Sequence, residues 1–308
     1  MADSILVLGG NGFIGHALSQ ALAQRGTPVI AVGRHSPASA HAGIETIVAA
    51  PNTSEEFLPL LARSRAVVHA ASTSTPGSSA GNPLAEVGGN LQTSLALLQA
   101  LQSFPDRPLL YFSSGGTLYG DVQAKAANES DSIRPRSYHG AGKAAVEHFI
   151  DAWCSQFAGA ATVLRPSNIY GPGQHERQGF AIIPTAFGKM LRDEALTVWG
   201  DGSAERDYLY IDDLVALCLT ILDRDMPTGM RVLNAASGVG ISLNTLFEKM
   251  EAVSGQRLQR SHDASRKVDV ARAVIDAGQA RMAYGWSPTT DLDEGLRQTW
   301  RWLRSIPR

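Results

Sequence analysis

Short runs of apolar and β-branched residues alternate with amphipathic stretches over the first part of the chain. The runs that predict strands are residues 5–8, 29–32, 44–48, 66–69, 109–113 and 162–164. The stretches that predict helices include residues 13–25 and 91–101. Strands that are apolar throughout and are separated by helices indicate a parallel sheet covered on both faces. The pattern therefore predicts an α/β fold with a doubly wound parallel sheet of the Rossmann type.

This alternation breaks after about residue 170, where Gly171-Pro172-Gly173 follows the last predicted strand. Residues 197–210 resemble a hairpin that turns at Gly200-Asp201-Gly202, and scattered helical stretches follow. We expect one domain from residues 1–170 with about 210–237, and a smaller α/β lobe from about 171–209 and 238–308. Residues 72–81, rich in Ser, Thr, Gly and Pro, are predicted to form a flexible loop.

Composition and charge exclude several classes of function. Of the 308 residues 44% are hydrophobic and 18% are charged, and the formal net charge is -2. Such a chain lacks a basic field for nucleic acid or for an anionic membrane surface, so we expect neither as a partner. It has no uninterrupted apolar run long enough to span a membrane and no secretory leader pattern, which predicts a cytoplasmic protein. Two isolated cysteines, Cys154 and Cys218, predict buried thiols, and we expect no metal site.

A glycine-rich turn follows the first predicted strand and opens the first predicted helix. Glycines at this spacing let backbone N–H groups and a helix N-terminus approach a pyrophosphate, because a Cβ atom would block the contact. The candidate dinucleotide-binding residues of this turn are Gly9, Asn11, Gly12, Phe13, Ile14 and Gly15.

The second predicted strand ends in Gly33-Arg34, without the acidic residue that usually holds the adenosine ribose of NAD. A guanidinium pairs with a ribose 2′-phosphate, and Gly33 removes the carboxylate that would repel this phosphate, so the two residues favour NADP. In the alternative interpretation Arg34 stacks on adenine or is solvated. The residues leave both NAD and NADP open.

Two further motifs carry a resemblance to a known family. The first ends a predicted strand with Ser113-Ser114-Gly115-Gly116-Thr117-Leu118-Tyr119-Gly120, and the second, Ser137-Tyr138-His139-Gly140-Ala141-Gly142-Lys143, opens a helix. The other matching segments are Val67-Val68-His69-Ala70-Ala71, Asn90, Arg165-Pro166-Ser167-Asn168-Ile169-Tyr170-Gly171-Pro172-Gly173, Gly200-Asp201-Gly202, Arg206-Asp207-Tyr208-Leu209-Tyr210-Ile211-Asp212-Asp213 and Tyr284-Gly285-Trp286-Ser287-Pro288. Over nearly its whole length the chain resembles the extended short-chain dehydrogenase/reductase family of nucleotide-sugar epimerases, dehydratases, decarboxylases and ketoreductases.

The resemblance implies a catalytic pair, and the sequence departs from it. In that family a tyrosine four residues before a lysine is the acid/base for a sugar hydroxyl, and the lysine binds the nicotinamide ribose. Lys143 matches this lysine, but His139 stands where the tyrosine belongs. Tyr138 lies five residues from Lys143, roughly 140° around a helix instead of roughly 40°, so we expect it to point elsewhere unless the helix begins irregularly.

Imidazole is a competent general base, but it reaches roughly 2 Å less far from the backbone than a phenol. We hypothesise that His139 marks a substituted catalytic position, through natural divergence or through a deliberate change.

A second departure concerns the hydroxyl that shares the proton relay. Gly115 stands where the family usually has Ser or Thr, so Ser114 or Thr117 is expected to substitute, and Thr117 is preferred. A hydroxyl that only satisfies backbone groups at a strand end is an equally good interpretation of each. Asn90 is expected to orient the catalytic residues or a relay water. Glu147 and His148 are expected on the surface of the helix.

The resemblance also implies binding residues for a cofactor and a nucleotide sugar. Ala70 and Ala71 are expected beside the dinucleotide. Arg206 is expected to grip the diphosphate of the sugar nucleotide, unless it only pairs with Asp207 or is solvated, and Arg266 is a weaker second candidate. The remaining candidates for substrate contacts are Ser72, Thr73 and Asn168.

The residues just before Tyr119-Gly120 narrow the reaction. Family dehydratases have an Asp-Glu pair there and decarboxylases a glutamate at the second place, whereas this chain has Gly116-Thr117. Reversible hydride transfer at a sugar carbon remains, and the leading hypothesis is a UDP-hexose 4-epimerase with a transient 4-keto sugar. The rivals are an NADPH-dependent reductase of a 4-keto nucleotide sugar and, if His139 abolishes turnover, a silent nucleotide-binding sensor or scaffold. The resemblance further implies a homodimer formed through the helices that carry Asn90 and Lys143.

Overall fold

The computed structural model of the protein describes residues 3–36, 40–121, 125–177, 181–265 and 270–306. Its strands are β1 (Ser4–Leu8), β2 (Val29–Gly33), β3 (Ile44–Val48), β4 (Ser64–His69), β5 (Leu109–Phe112), β6 (Ala160–Pro166), β7 (Asn168–Tyr170), β8 (Leu196–Trp199), β9 (Glu205–Tyr210), β10 (Gly229–Ala235), β11 (Gly240–Ser242), β12 (Arg260–Asp263) and β13 (Arg272–Ala273). Its α-helices are α1 (Phe13–Gln24), α2 (Ser54–Leu61), α3 (Pro83–Glu86), α4 (Gln92–Leu101), α5 (Gly115–Leu118), α6 (Tyr138–Phe157), α7 (Ile182–Arg192), α8 (Ile211–Leu222), α9 (Leu243–Ser254), α10 (Gly278–Tyr284) and α11 (Leu292–Ser305). A π-helical segment, Val87–Leu91, joins α3 to α4.

The main sheet has seven strands in the order β10-β6-β5-β4-β1-β2-β3. The pairs β1/β2, β2/β3, β1/β4, β4/β5 and β5/β6 are parallel. The chain moves outward from β1 to β3 and then returns to the other side of β1 with β4, which is the order of a doubly wound sheet. The predicted fold class is therefore confirmed, and each of the six predicted strands lies within two residues of an observed one.

Buried apolar side chains cover both faces of the central strands of this sheet. Four consecutive residues of β1, from Ile5 to Leu8, are at most 2% exposed, and the four residues of β5 are all buried. A strand with one face in water would alternate between buried and exposed positions. Continuous burial is the physical reason for the uninterrupted apolar runs in the sequence.

The register of the central strands brings their carboxyl ends to one edge. Leu8 of β1 aligns with His69 of β4, and His69 aligns with Tyr111 of β5. The glycine turn follows β1, residues 70–74 follow β4, and residues 113–114 follow β5. These three loops consequently begin side by side, as expected for the ligand-binding edge of a parallel sheet.

The chain divides into two compact units. The first contains Met1–Ser114, Tyr138–Arg165 and Val215–Leu233, and the second contains Gly115–Ser137, Pro166–Leu214 and Asn234–Arg308. Residues 115–137 lie in the second unit, whereas the sequence boundaries placed them in the first domain. The division into a dinucleotide-binding domain and a sugar-nucleotide lobe stays a prediction.

Small sheets organise the second unit. Strand β9 pairs in parallel with β7 and β13 and antiparallel with β11, while β8 pairs in parallel with β12. The predicted hairpin across residues 197–210 is therefore wrong, because β8 and β9 belong to different sheets. Gly200 and Gly202 have φ angles of 83° and 80°. The turn they form is bonded to α9, where Asn244 N donates to Gly202 O at 3.1 Å and Asn244 Nδ2 donates to Asp201 O at 3.0 Å.

Both thiols lie in the core, which confirms their interpretation as buried residues. Cys154 and Cys218 are 3% and 0% exposed, and burial raises the pKa of the Cys154 thiol to about 11.

Over the described ranges, each helix is too short or too polar to cross a membrane. In the same ranges no group of three or more His, Cys, Asp or Glu side chains is arranged around a metal position.

A buried ion pair fixes helix α6 to strand β6. Arg165 Nη2 donates to Glu147 Oε2 at 2.6 Å and Arg165 Nε donates to Glu147 Oε1 at 3.1 Å, and the two side chains are 5% and 4% exposed. Ser113 Oγ, at the end of β5, donates to the same carboxylate at 2.5 Å. The expectation that Glu147 lies on the helix surface is wrong, because this face of α6 packs inward. His148, in contrast, is exposed.

Removing one partner of this pair tests its contribution to stability. Arg165→Met leaves the Glu147 carboxylate buried without its counter-charge, so we expect the free energy of unfolding to fall by about 3–5 kcal/mol. The double variant Arg165→Met/Glu147→Met removes both charges, and we expect it to regain most of that loss. Urea unfolding at pH 7 measures both effects. An equally large loss in the double variant would contradict an explanation based on unpaired charge.

Candidate active site

The turn between β1 and α1 brings backbone segments unusually close together. Gly9 has a φ of 80°, and a Cβ on it would lie 2.7 Å from Ala71 N. A Cβ on Gly15 would overlap the carbonyl oxygen of Gly9. Helix α1 starts at Phe13, its cap Gly12 makes no side-chain hydrogen bond, and its first turn contains no acidic residue. An approachable backbone and a helix N-terminus without a side-chain cap fit the diphosphate of a dinucleotide.

The loop after β4 closes one side of this turn. Ala70 N donates to Leu8 O at 2.9 Å, so Ala70 and Ala71 lie against the glycine turn, and their place beside a cofactor stays a prediction. Ile14 is half-buried in the first turn of α1. Ser72 Oγ donates to Ser74 O at 3.1 Å and shapes the next residues of the loop.

The end of β2 gives a packing reason for Gly33. Asn11 Nδ2 donates to His35 O at 2.6 Å, and a Cβ on Gly33 would lie 3.0–3.2 Å from three atoms of the Asn11 side chain. Gly33 therefore leaves space for the Asn11 side chain. It also leaves the end of β2 without a carboxylate. Arg34 is exposed at this position. An exposed guanidinium is compatible with a 2′-phosphate and with stacking, so the choice of cofactor stays open here.

Helix α3 and the π-helical segment place two polar side chains inward. Asn82 caps α3 by accepting from Ala85 N at 3.1 Å, and Pro83 occupies the first turn, which starts the helix. Glu86 ends this helix and Asn90 lies in the π-helical turn that follows, and they are 4% and 8% exposed. π-Helical turns occur frequently at functional sites.

Asn90 connects this region to the loop after β4. Its Oδ1 accepts from Thr73 N at 2.7 Å and from Thr73 Oγ1 at 3.2 Å. Its Nδ2 donates to Ser74 Oγ at 2.8 Å and to Glu86 Oε1 at 2.7 Å. Ser74 Oγ donates in turn to Glu86 Oε2 at 2.5 Å and lies 2.9 Å from His139 Nδ1. The structure therefore joins the predicted residues Thr73, Asn90 and His139 in one network.

Sequence reasoning missed two members of this network, Ser74 and Glu86. Residues 72–81 were predicted as a flexible loop, yet Thr75 and Ser79 in it are buried and Ser79 Oγ accepts from His139 N at 3.2 Å. A signal for Glu86 was present in the sequence, because it stands four residues before Asn90 and thus on the same face of a helix.

Helix α6 carries the predicted catalytic pair on one buried face. His139 and Lys143, four residues apart, are 8% and 6% exposed, whereas Tyr138 is 46% exposed. Lys143 Nζ donates to Phe112 O at 2.8 Å and lies 4.9 Å from the centre of the Tyr111 ring. An ammonium group has three donors, so this bond is compatible with further hydrogen bonds to ribose hydroxyls.

Buried charges around Lys143 perturb one another. Burial lowers the pKa of Lys143 to about 8, although the carboxylates of Glu86 and Glu147 act in the opposite direction. Burial and, secondarily, the charge of Lys143 lower the pKa of His69 to about 3. His69 is therefore neutral at neutral pH, and its Nε2 lies 3.0 Å from Ser94 Oγ.

The two candidate hydroxyls lie in different compact units. Ser114 is half-buried at the end of the first unit's Met1–Ser114 segment. Thr117 lies in α5 of the second unit, and its Oγ1 is buried without a hydrogen-bond partner among the described residues. A buried hydroxyl without a partner fits a group that a ligand or a water satisfies.

Three predicted substrate contacts belong to the second unit. Asn168 Nδ2 donates to Asp207 O at 2.9 Å, and Arg206 Nη1 donates to Glu205 O at 2.8 Å. The buried carboxylate of Asp207 accepts from Ser237 N and Gly238 N, both at 2.9 Å, and so holds a neighbouring loop. Arg266 lies outside the described residues.

Comparison with known proteins decides the family. The model of the NAD dependent epimerase/dehydratase family matches residues 5–236. The chain belongs to this family. Membership confirms the resemblance drawn from the sequence motifs.

Three similar proteins of known name include two epimerases and one reductase. The chain is 28% identical to the UDP-glucose 4-epimerase of Thermotoga maritima, solved with UDP-glucose, with a TM-score of 0.91 over 98% of each chain. It is 25% identical to the UDP-glucose 4-epimerase of Thermus thermophilus, solved in complex with NAD, with a TM-score of 0.91 over 99% of this chain and 100% of the other. It is 26% identical to a dTDP-4-dehydro-6-deoxyglucose reductase of Escherichia coli, over 96% of this chain and 95% of the relative.

This family member has a buried lysine whose charge opposes folding. Its lowered pKa means that the folded protein releases the Lys143 proton more readily than the unfolded chain, in which the pKa is 10.5. The charged form is therefore penalised by folding below pH 8. The penalty declines as pH rises from about 8 toward 10.5, because the folded protein has then lost the proton that the unfolded chain still binds.

We accordingly expect the free energy of unfolding of the wild type, relative to that of Lys143→Met, to rise by about 2–3 kcal/mol between pH 7 and pH 10, because only the wild type loses the penalty of the buried charge. Urea unfolding of both proteins at the two pH values measures this change. Lys189→Met, at a lysine whose side chain is 32% exposed, is the control and should change stability by less than about 1 kcal/mol. A wild type whose stability relative to Lys143→Met does not rise over this range would contradict the lowered pKa of Lys143.

Proposed function

We propose that this member of the family is a nucleotide-sugar 4-epimerase that acts on a UDP-hexose through a transient 4-keto sugar. The observation that carries the proposal is the pairing of His139 with Lys143 on the buried face of α6. The names of two similar solved structures, both UDP-glucose 4-epimerases, support it. The Gly116-Thr117 pair, where dehydratases have two acidic residues, favours hydride transfer over elimination of water.

NAD, when bound, would be the reversible acceptor of the hydride from C4 of the sugar. The backbone of Gly9, Gly12 and Gly15 with the N-terminus of α1 would hold its diphosphate, because these residues leave the backbone bare and a Cβ at each of them would meet backbone atoms. Lys143 would donate to the nicotinamide ribose. The burial of this lysine strengthens each hydrogen bond that it makes.

The chain's own acid/base group in this proposal is His139. Its imidazole takes the proton of the C4 hydroxyl and later returns it, a transfer that imidazole performs near neutral pH. Asn90 holds the surrounding loop through Thr73 and Ser74, and Ser114 or Thr117 supplies the relay hydroxyl. Asn168 and Arg206 are the proposed contacts to the diphosphate of the sugar nucleotide, with Ser72 and Thr73 near the sugar.

A reductase is the second candidate, favoured by one specific observation. Arg34 is exposed just after β2, and Gly33 stands where NAD-binding proteins usually have an acidic residue. A guanidinium without a neighbouring carboxylate suits the 2′-phosphate of NADPH. A reductase exchanges its cofactor with the cellular pool in every turnover, whereas an epimerase regenerates the cofactor on the protein. This difference in cofactor exchange separates the two functions experimentally.

The purified protein should convert UDP-galactose to UDP-glucose without added cofactor, since each turnover restores NAD. Chromatography of the reaction follows the conversion, and denaturing extraction with mass spectrometry should recover about one NAD per chain. Oxidation of NADPH by a 4-keto nucleotide sugar without any UDP-hexose interconversion would overturn the epimerase in favour of the reductase. Retained dinucleotide without turnover on UDP- or dTDP-sugars would instead favour a silent binding protein.

Substitution of the acid/base group tests the role of position 139. We expect His139→Gln to lower kcat by about 10³-fold while the bound dinucleotide is retained, because only proton transfer is lost. His148→Gln, an exposed histidine on the same helix, is the matched control. Full activity in His139→Gln would contradict the assignment. An inactive wild type that gains turnover as His139→Tyr would mark position 139 as an impaired site.

A homodimer is proposed as well, through the helices that carry the site. Leu84, Val87 and Phe149 are apolar and 79%, 49% and 47% exposed on α3, the π-helical segment and α6. Leu98 and Leu101 of α4 lie in the core instead, so this part of the helix is not available to a partner. Light scattering from the purified protein measures the mass, and a monomer would contradict the proposal.

A further inference from the structure

Glu86 is a buried carboxylate that has no role in the hydride and proton transfers proposed for this site. Its side chain is 5% exposed, and its Oε1 lies 3.9 Å from His139 Nδ1. A Cβ on Gly142 would lie 2.7 Å from Glu86 Cγ and 2.8 Å from Glu86 Oε1. Helix α6 thus has a glycine where a side chain would displace this carboxylate, in the same turn as His139 and Lys143.

The hydrogen bonds of Ser74 determine which nitrogen of His139 carries a proton. Asn90 Oδ1 accepts from the Thr73 backbone N–H, which fixes Asn90 Nδ2 as the donor to Ser74 Oγ at 2.8 Å. A serine hydroxyl has one proton and two lone pairs. A carboxylate only accepts, so the Ser74 proton goes to Glu86 at 2.5 Å, and the second lone pair of Ser74 is left to accept from His139 Nδ1 at 2.9 Å. These bonds favour a proton on Nδ1 of neutral His139.

Charge balance at the site gives Glu86 a second effect. When His139 accepts a proton it becomes a cation one helical turn from Lys143, and two cations repel strongly in a buried site. Glu86 attracts both: its oxygen is 3.9 Å from His139 Nδ1, and its charge raises the pKa of Lys143 against the effect of burial. A carboxylate at this position stabilises the imidazolium that proton transfer creates.

We propose that Glu86, acting through Ser74, is the positioning residue that keeps the proton of neutral His139 on Nδ1 and so assigns proton exchange with the sugar to Nε2. This inference rests on the proposed function. In the oxidative half the C4 hydroxyl proton would move to His139 Nε2 and the C4–O double bond would form, while NAD, when bound, would accept the hydride that C4 loses. In the reductive half the same hydride and a proton would return to the sugar, so Glu86 and Ser74 would end unchanged.

The ring tautomer of His139 provides a direct test that does not depend on turnover. Protein labelled with ¹⁵N-histidine gives ring nitrogen shifts that separate an Nδ1–H from an Nε2–H tautomer, and His139→Gln assigns the signal. We expect Nδ1–H in the wild type at a pH where the ring is neutral. In Glu86→Gln the new amide donates to Ser74, whose hydroxyl then donates to His139 Nδ1. The proton should move to Nε2, and kcat should fall on the order of 10²- to 10⁴-fold with little change in KM.

Two further variants make the outcome decisive. Ser74→Ala removes the hydroxyl that links Glu86 to His139, so it should also weaken the Nδ1–H preference and lower kcat. This variant tests the same link if Glu86→Gln folds poorly. Asp213→Asn alters another buried carboxylate, which accepts from Thr289 N at 2.9 Å, and should lower stability without changing the His139 tautomer. An unchanged tautomer in both Glu86→Gln and Ser74→Ala would overturn the positioning role. A further outcome is that the variants shift the tautomer as expected although the wild-type protein does not turn over UDP-hexoses. That result would support the positioning role and overturn the proposed function instead.

Discussion

Burial of charged side chains on one face of helix α6 is the constraint on which the rest of the first unit depends. Lys143 and Glu147 face inward from this helix, and each would be destabilising alone in a dry environment. Arg165 of β6 neutralises Glu147, and Glu86 of α3 lies close to His139 and attracts Lys143. The helix is therefore held against β6 by an ion pair, and against the α3 region by the hydrogen bonds that link Glu86, Ser74 and His139. The positions of His139 and Lys143 follow from this arrangement.

The parallel sheet explains why so few residues suffice to assemble the site. The carboxyl ends of β1, β4 and β5 lie in register, so the glycine turn, the loop with Thr73 and Ser74, and the hydroxyls that follow Phe112 begin at one edge. The close approach of Gly9 to Ala71 leaves no space for a side chain between the first two of these loops. A bare backbone of this kind at a helix N-terminus suits an anion such as a diphosphate.

Membership of the NAD dependent epimerase/dehydratase family restricts the chemistry without choosing the reaction, because one fold supports several reactions in different members. The choice rests on side chains. A histidine four residues before a buried lysine, a carboxylate linked to that histidine through one hydroxyl, and the lowered pKa of the lysine are together suited to the proposed proton transfer. An orienting carboxylate is more useful to an imidazole than to a phenol, because the imidazole has two nitrogens and the carboxylate selects between them.

The sequence by itself determined the alternation of strands and helices, the doubly wound sheet, the glycine turn and the shared face of His139 and Lys143. All of these follow from local periodicity and spacing. It did not predict that Glu147 is buried, that β8 and β9 pair with different partners, or that Ser74 and Glu86 contact His139. Those facts depend on partners distant along the chain, such as Ser74 and His139, which are 65 residues apart. A helical period shows which side chains share a face, but the groups they meet there, and hence their charge, tautomer and role, are decided only when the chain has packed.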